Sequence, residues 1–367
     1  MGNELRYGII GAGSMGREHM QNIKIMGGAS ITAISDPHAP SRNEALALAP
    51  NAAIFSDHRS LLESGLVDAV VISTPNDTHT TILKDALASD AAVFVEKPLA
   101  TKIEDLHSIL DWESKRSALT WMGLEYRFMP PVAEAIARAK DGEVGKVQLV
   151  SIREHREPFY PKVDNWNRFE ERTGGTLVEK CCHYFNLMDL VIGQQPLRVF
   201  ASGGQTVNHL EEKYDGKNAN MLDSAYVVLE YASGARAMLD LCMFGEGSFD
   251  KEILTIVGDE GKVESFLPSQ TIRASRREDW GTRTGWGIGE GTRKGSEIKF
   301  VSDLDVKYLG HHYGASYIEH VKFRDAILNA TPAEVTLRDG VTSVVTGLAA
   351  HKSINEGRVV EIKELWG

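Results

Sequence analysis

An acid and a histidine four residues apart, Glu179 and His183, are well suited to proton chemistry, and so is the lysine of Glu96-Lys97-Pro98. Residues four apart on a helix share a face, so Glu179 is expected to orient the imidazole and favour its protonated form. Imidazole titrates near neutrality, which suits a general base. An ammonium at Lys97 can stabilise negative charge on a reacting oxygen or relay a proton, and the sequence leaves both roles open. The ordinary alternatives are an exposed Glu–His helix pair and a solvated lysine.

A third group of residues binds rather than reacts. Gly11-Ala12-Gly13-Ser14-Met15-Gly16 follows the apolar run Tyr7–Ile10 and opens a helical stretch, Met15–Met26. Asp36 ends the next strand-like run, Ile31–Ser35, twenty residues after Gly16. This order of strand, turn, helix, strand and acid is that of a dinucleotide site. Gly11 permits the tight turn, Gly13 lets the backbone approach a pyrophosphate, and Gly16 lets helix and strand pack closely. The helix N-terminus offers free N–H groups to phosphates. The Asp36 carboxylate suits a ribose with free hydroxyls and repels a 2′-phosphate, so NAD is favoured over NADP. A turn that binds nothing, or one that binds S-adenosylmethionine, fits the same glycines.

The elements that must position these groups alternate over residues 1–125. Strands are expected at Tyr7–Ile10, Ile31–Ser35, Ala69–Ser73, Ala92–Val95 and Leu119–Gly123, with helices at Ser41–Leu48, Thr80–Ser89 and Ile103–Lys115. Alternation of this kind predicts a doubly wound parallel sheet, a Rossmann fold, whose ligands bind beyond the strand ends. Those ends carry Gly11–Gly16, Asp36, Thr74-Pro75-Asn76 and Glu96-Lys97-Pro98. Residues 126–367 read differently. Strand-like runs follow one another at Lys146–Glu154, Leu197–Val207, Ala225–Tyr231, Ala235–Cys242 and Ile253–Val257, with a hairpin turn at Ala232-Ser233-Gly234. An α/β domain with a mostly antiparallel sheet, one face covered by helices, is expected. One helix should run from Gly174-Gly175 to about Ile192, with Leu177, Cys181, Tyr184, Met188 and Val191 as its apolar stripe. Helices are also expected at His320–Ala330 and Leu337–Glu356. The glycine-dense stretch Gly281–Gly295 reads as a long loop or twisted edge.

A length of 367 residues suits two domains, and 42% hydrophobic residues suffice for a core. The net charge of −11 disfavours nucleic acid or an anionic membrane as the main partner. Apolar runs of about five residues are far short of the ~20 of a membrane helix. Three cysteines, two of them adjacent (Cys181 and Cys182), argue against a disulfide framework and for a reducing cytoplasm. Adjacent cysteines do not match zinc-ligand spacing, so no metal is expected. Trp166, in a loop with Asn167 and Arg168, suits either stacking on a sugar ring or anchoring in the core.

Taken together, these motifs resemble the Gfo/Idh/MocA family of NAD(P)-dependent oxidoreductases over essentially the whole chain. The resemblance rests on the 11–16 turn, Asp36, Thr74-Pro75-Asn76 with His79, and Glu96-Lys97-Pro98. It extends to Tyr126-Arg127-Phe128 with Pro130, the Gly174–His183 segment and the closing run from Gly347 to Val360. It implies a Rossmann domain and a C-terminal α/β domain with a large open-faced sheet that pairs subunits into dimers or tetramers. It implies oxidation or reduction of a secondary alcohol on a sugar or cyclitol such as inositol. The catalytic set it implies is Lys97 and His183, with Glu179 where the family has an aspartate. By the same resemblance the cofactor contacts are Gly11, Gly13, Ser14, Met15, Gly16, Asp36, Thr74, Pro75, Asn76, His79, Glu96, Lys97 and Arg127. The substrate contacts are Lys97, Arg127, His155, Arg156, Trp166, Arg168 and His183, and His312, ahead of the helix at His320, is expected to face the cleft as well. Two rival functions remain: an enzyme that retains NAD and cleaves glycosides through transient oxidation, and an NAD-binding regulator without catalysis.

Overall fold

The computed structural model describes residues 4–278 and 297–367. The expected loop Gly281–Gly295 lies outside the described residues. Six strands form the first sheet: β1 (Leu5–Ile10), β2 (Ala29–Ser35), β3 (Ala53–Phe55), β4 (Ala69–Ile72), β5 (Ala92–Glu96) and β6 (Thr120–Gly123). Their order is β3-β2-β1-β4-β5-β6, with every pairing parallel. Every residue of β4, β5 and β6 is buried, as a parallel sheet covered on both faces requires. The short β3 escapes sequence reading because three residues give no periodicity.

The glycine turn takes the expected form. Gly11 has φ +93°, and a side chain there would lie 2.6 Å from the Ser73 carbonyl oxygen. A Cβ on Gly16 would lie 2.0 Å from the Gly11 carbonyl oxygen, whereas one on Gly13 would meet nothing within 4 Å. Two glycines therefore close the turn against the protein, and the third leaves backbone open to a ligand.

The second sheet contains β7 (Val147–His155), β8 (Pro196–Gly204), β11 (Ser224–Tyr231), β12 (Arg236–Cys242), β13 (Glu252–Gly258), β14 (Gly261–Leu267), β15 (Thr271–Arg276), β16 (Glu297–Phe300) and β17 (Val360–Glu361). A separate hairpin pairs β9 (Lys213–Tyr214) with β10 (Lys217–Asn218). The nine-stranded order is β16-β15-β14-β13-β7-β12-β11-β8-β17. Among the described residues only the β7–β12 pairing is parallel. Burial alternates along β11 and β12, so one face is covered and the other open. Helices Pro130–Lys140, Cys182–Ile192 and Leu337–Glu356 pack on the covered side. The open face shows Leu149, Phe200, Tyr226 and Met238.

Helix Leu337–Glu356 also reaches the first sheet, where Gly340 brings its backbone against Leu99 and Met122. Helix Ala315–Asn329 packs on Ser14–Met26, the helix that follows the glycine turn. Helix Leu337–Glu356 therefore joins the two sheets, contacting both β6 and β8. The expected single helix to Ile192 is instead two, Thr176–Glu179 and Cys182–Ile192, broken at Lys180. Among the described residues no helix is long and apolar enough to cross a membrane.

Candidate active site

The loops after β4 and β5 reach the segment 174–183, where Asn76 and Lys97 both meet Glu179. Asp36 is 9% exposed, and its carboxylate accepts from Ala12 N–H and His38 N–H, each at 2.7 Å. Those bonds hold the acid beside the glycine turn. Ser14, first residue of its helix, accepts at Oγ from Lys162 Nζ at 3.1 Å. Lys162 comes from the loop after β7, so the second sheet's side of the molecule places a cation over the turn. Burial pulls the Lys162 ammonium below its usual value, although Glu179 partly offsets this. The open backbone at Gly13, the fixed Asp36 carboxylate and this cation fit a dinucleotide diphosphate and ribose.

Glu96 closes β5 and is 5% exposed. Its Oε1 lies 2.8 Å from His19 Nε2, and His19 Nδ1 lies 2.8 Å from His320 Nε2. Its Oε2 accepts from the Lys97 N–H at 3.0 Å, which fixes the backbone that carries the lysine. Lys97 Nζ donates to the Glu179 carbonyl oxygen at 3.0 Å and lies 3.5 Å from Glu179 Oε1. Burial pulls the Lys97 ammonium down, but Glu179 and the other surrounding acids outweigh it and raise its pKa. The surrounding acids therefore favour the charged ammonium, which donates to the Glu179 carbonyl oxygen.

Glu179 turns toward Lys97 and Asn76, whose side-chain N–H donates to it. It does not pair with His183. The break at Lys180 is the physical reason, because it removes the register that would stack the two on one helix face. His183 instead stacks on Tyr126, with ring centroids 3.9 Å apart and planes 9° from parallel. It is 2% exposed, and its Nδ1 has no hydrogen-bond partner. Burial holds its pKa well below the ordinary histidine value, helped by the positive charge of Lys97 and Lys180. The expectation of a protonated imidazole is reversed. Burial and the neighbouring lysines favour the neutral imidazole.

The break has its own cause in Lys180, which is buried and donates to Tyr126 Oη. Its ammonium also lies 2.9 Å from Glu154 Oε1. Glu154 is 1% exposed, on the inner face of β7 with Val150 and Ile152. Removing one partner of such a buried pair costs roughly 3–5 kcal/mol. Sequence reading missed Glu154, although period-two alternation with Val150 and Ile152 was the available signal.

Strand parity also moves His155. It lies on the open face, 3.0 Å from Asp240 Oδ1 by its Nε2, and away from the site. Arg156 remains near the cluster, 3.6 Å from Glu154 Oε1. Arg168 is buried but donates to Glu212 Oε2 at 3.1 Å, toward the small hairpin. Trp166 is half-buried in a turn where Asp164 and Asn165 have φ of 53° and 51°. Arg127 donates to Asn186 Oδ1 at 2.6 Å and to the Glu334 carbonyl oxygen at 3.2 Å, so it ties helices together. His79 is fully buried, with Nδ1 2.7 Å from the Pro98 carbonyl and Nε2 3.1 Å from the Thr74 carbonyl. It braces two loops and has no nitrogen left for a cofactor. Thr74 and Pro75 are half-buried at the end of β4, and Asn76 beyond them also donates to the Thr173 carbonyl at 3.2 Å. Met15 is half-buried beside Ser14. His312 lies 3.3 Å from Glu125 Oε1. Among the described residues no cluster of three or more His, Cys, Asp or Glu could hold a metal ion.

Comparison with known proteins bears on this arrangement. Residues 5–124 match a family model described as an oxidoreductase family, NAD-binding Rossmann fold, and residues 137–362 match its C-terminal alpha/beta domain. The chain is 25% identical over 366 residues to the myo-inositol 2-dehydrogenase of Thermotoga maritima, covering 99% of this chain and 100% of that protein. It is 29% identical over 259 residues to the inositol 2-dehydrogenase of Rhizobium meliloti, covering 71% of this chain and 74% of that protein. A levoglucosan dehydrogenase solved with NADH and levoglucosan shares the fold, with TM-score 0.84 at 19% identity, over 98% of this chain and 99% of that one.

Proposed function

Because the chain belongs to the Gfo/Idh/MocA oxidoreductase family, we propose that it oxidises a secondary alcohol of a sugar or cyclitol, with Lys97 and His183 at the reacting hydroxyl. Residues 1–125 hold the cofactor and residues 126–367 the substrate. The observation that carries this reading is the neutral, buried His183 in one cluster with the cationic Lys97, at the strand ends that hold the glycine turn. Relatives named inositol 2-dehydrogenase support the substrate class.

Bound NAD supplies the hydride acceptor. Gly13 backbone and Lys162 hold its diphosphate, and Asp36 accepts from the ribose hydroxyls and disfavours a 2′-phosphate. Lys97 donates to the substrate oxygen and stabilises the charge that develops as the proton leaves. His183 takes that proton, which it can do because its buried imidazole is uncharged. Glu179 and Asn76 hold Lys97 in place. A second copy of the chain covers the open sheet face, where Phe200 is 46%, Tyr226 61% and Met238 40% exposed.

The test is NADH absorbance across inositols, hexoses, anhydrosugars and glycosides, with NAD and NADP in parallel. A rise with one polyol class and NAD is expected. Aglycone release without net NADH would replace this reading with the redox-neutral glycosidase. Tight NAD binding with neither product would leave a regulator.

A further inference from the structure

Glu125 takes no part in the mechanism above. It opens the turn Glu125–Phe128 after β6 and is 3% exposed. Its Oε2 has no hydrogen-bond partner, and neither has His183 Nδ1. These two unpartnered atoms face each other across 3.8 Å. The other oxygen, Oε1, lies 3.3 Å from His312 Nδ1. The His312 side chain is 20% exposed. One carboxyl group thus spans two imidazoles, the inner one at the reacting cluster and the outer one partly exposed.

We propose that Glu125 orients His183 through its Nδ1 and, with His312, carries the proton taken from the substrate out to solvent. The inference rests on the reading of His183 as the base. A small inward movement makes the Nδ1–H of His183 donate to Oε2, which leaves the Nε2 lone pair for the substrate hydroxyl. The step balances as follows. His183 Nε2 gains the hydroxyl proton, and its Nδ1 proton passes to Glu125 Oε2. The proton on Oε1 passes to His312 Nδ1, and His312 Nε2 releases a proton to water. Each group gains one proton and loses one, so no net charge stays in the site.

The surroundings suit this role. Glu125 faces His183 and Lys180 from the 174–192 segment, Glu96 from β5 and Lys97 just after it, His312 from the turn before helix Ala315–Asn329, and Glu319 from that helix. Burial, then the charge of Glu96, pushes the Glu125 carboxyl up to about 8. It therefore holds a proton to pass at neutral pH. Burial lowers His312 to about 3, so it hands its proton on rather than keeping it.

The experiment uses Glu125→Gln, which keeps the shape but cannot pass a proton, and His312→Gln at the outer end. The full-length protein is labelled with 15N-histidine, and the His183 tautomer is read by NMR with NAD bound. The wild type should carry its proton on Nδ1, and Glu125→Gln should shift that resonance. In alcohol oxidation both variants should keep NAD affinity and lose about 10-fold or more in kcat. Added imidazole, an external proton acceptor, should restore part of the loss, which it would not do for a merely structural defect. Wild-type kcat and pH profile in both variants, or a loss that imidazole does not rescue, would overturn the inference. A tautomer shift in Glu125→Gln without oxidation of any alcohol would overturn the functional reading and leave the orienting role standing.

Discussion

Replacing Lys162 with alanine should weaken NAD binding without disturbing the fold. The side chain crosses from the loop after β7 to Ser14 Oγ, 3.1 Å away, at the N-terminus of helix Ser14–Met26. A diphosphate seated on that N-terminus would lie about 4–6 Å from the ammonium. At an effective dielectric near 20 the bare attraction is about 3 kcal/mol. Part of it offsets the loss of ammonium hydration, and a charge-assisted hydrogen bond is worth roughly 1.5–3 kcal/mol. Lys162 is only half-buried, so the lower end applies. About 1.5 kcal/mol corresponds to roughly a 10-fold rise in Kd. The assay is calorimetric titration with NAD and, separately, with adenosine, which has no diphosphate. Lys162→Ala should raise the NAD Kd and leave adenosine unchanged, and Lys162→Arg should recover most of the affinity. An unchanged NAD Kd, or equal weakening of both ligands, would refute the assignment.

Three further outcomes follow from the same geometry. Asp36→Ser should lower kcat/KM with NAD by about 10-fold and narrow the gap to NADP, because the acceptor and the repulsion disappear together; steady-state kinetics with both cofactors reads this, and an unchanged ratio would sink it. Gly16→Ala places a carbon 2.0 Å from the Gly11 carbonyl oxygen, so it should cost roughly 1–3 kcal/mol, lower Tm by several degrees and impair NAD binding. A Tm equal to wild type would mean the helix moves freely. His351 accepts the Leu177 N–H at Nε2 over 3.2 Å, and burial lowers its pKa to about 4. The unfolded imidazole protonates near 6.5, so the unfolded state binds more protons between about pH 6.5 and 4. Stability present above pH 6.5 should therefore fall through that window, by at most about 3 kcal/mol, and His351→Gln should flatten the fall in urea unfolding. An identical pH dependence would exclude His351 as its source.

The first sheet was legible because its signals are local. Strands buried on both faces read as Val- and Ile-rich runs, and the glycine turn and Asp36 lie within one unit. Lys97 and His183 stood out for the same reason, as short patterns beside recognisable elements, and the structure brings them into one cluster. What failed depended on partners distant in sequence. The Glu179–His183 pair assumed an unbroken helix, and the break at Lys180 follows from Tyr126 and Glu154, 54 and 26 residues earlier. Glu125 finds His312 through the packing of helix Ala315–Asn329 against the turn Glu125–Phe128, nearly 200 residues apart in sequence. Lys162 sits in a loop without periodicity, so nothing local marks its contact with Ser14. His155 and Glu154 are a different case, because strand parity alone would have chosen the correct one.

The most direct test of the central claim is NADH formation by the wild type, Lys97→Met and His183→Gln on the alcohol that the panel identifies, with NAD binding titrated for each. Turnover should fall by about 100-fold or more in either variant while the NAD Kd stays within about threefold. Near-wild-type turnover in either variant, or a loss explained entirely by weaker NAD binding, would contradict the assignment of the two residues to the reacting hydroxyl.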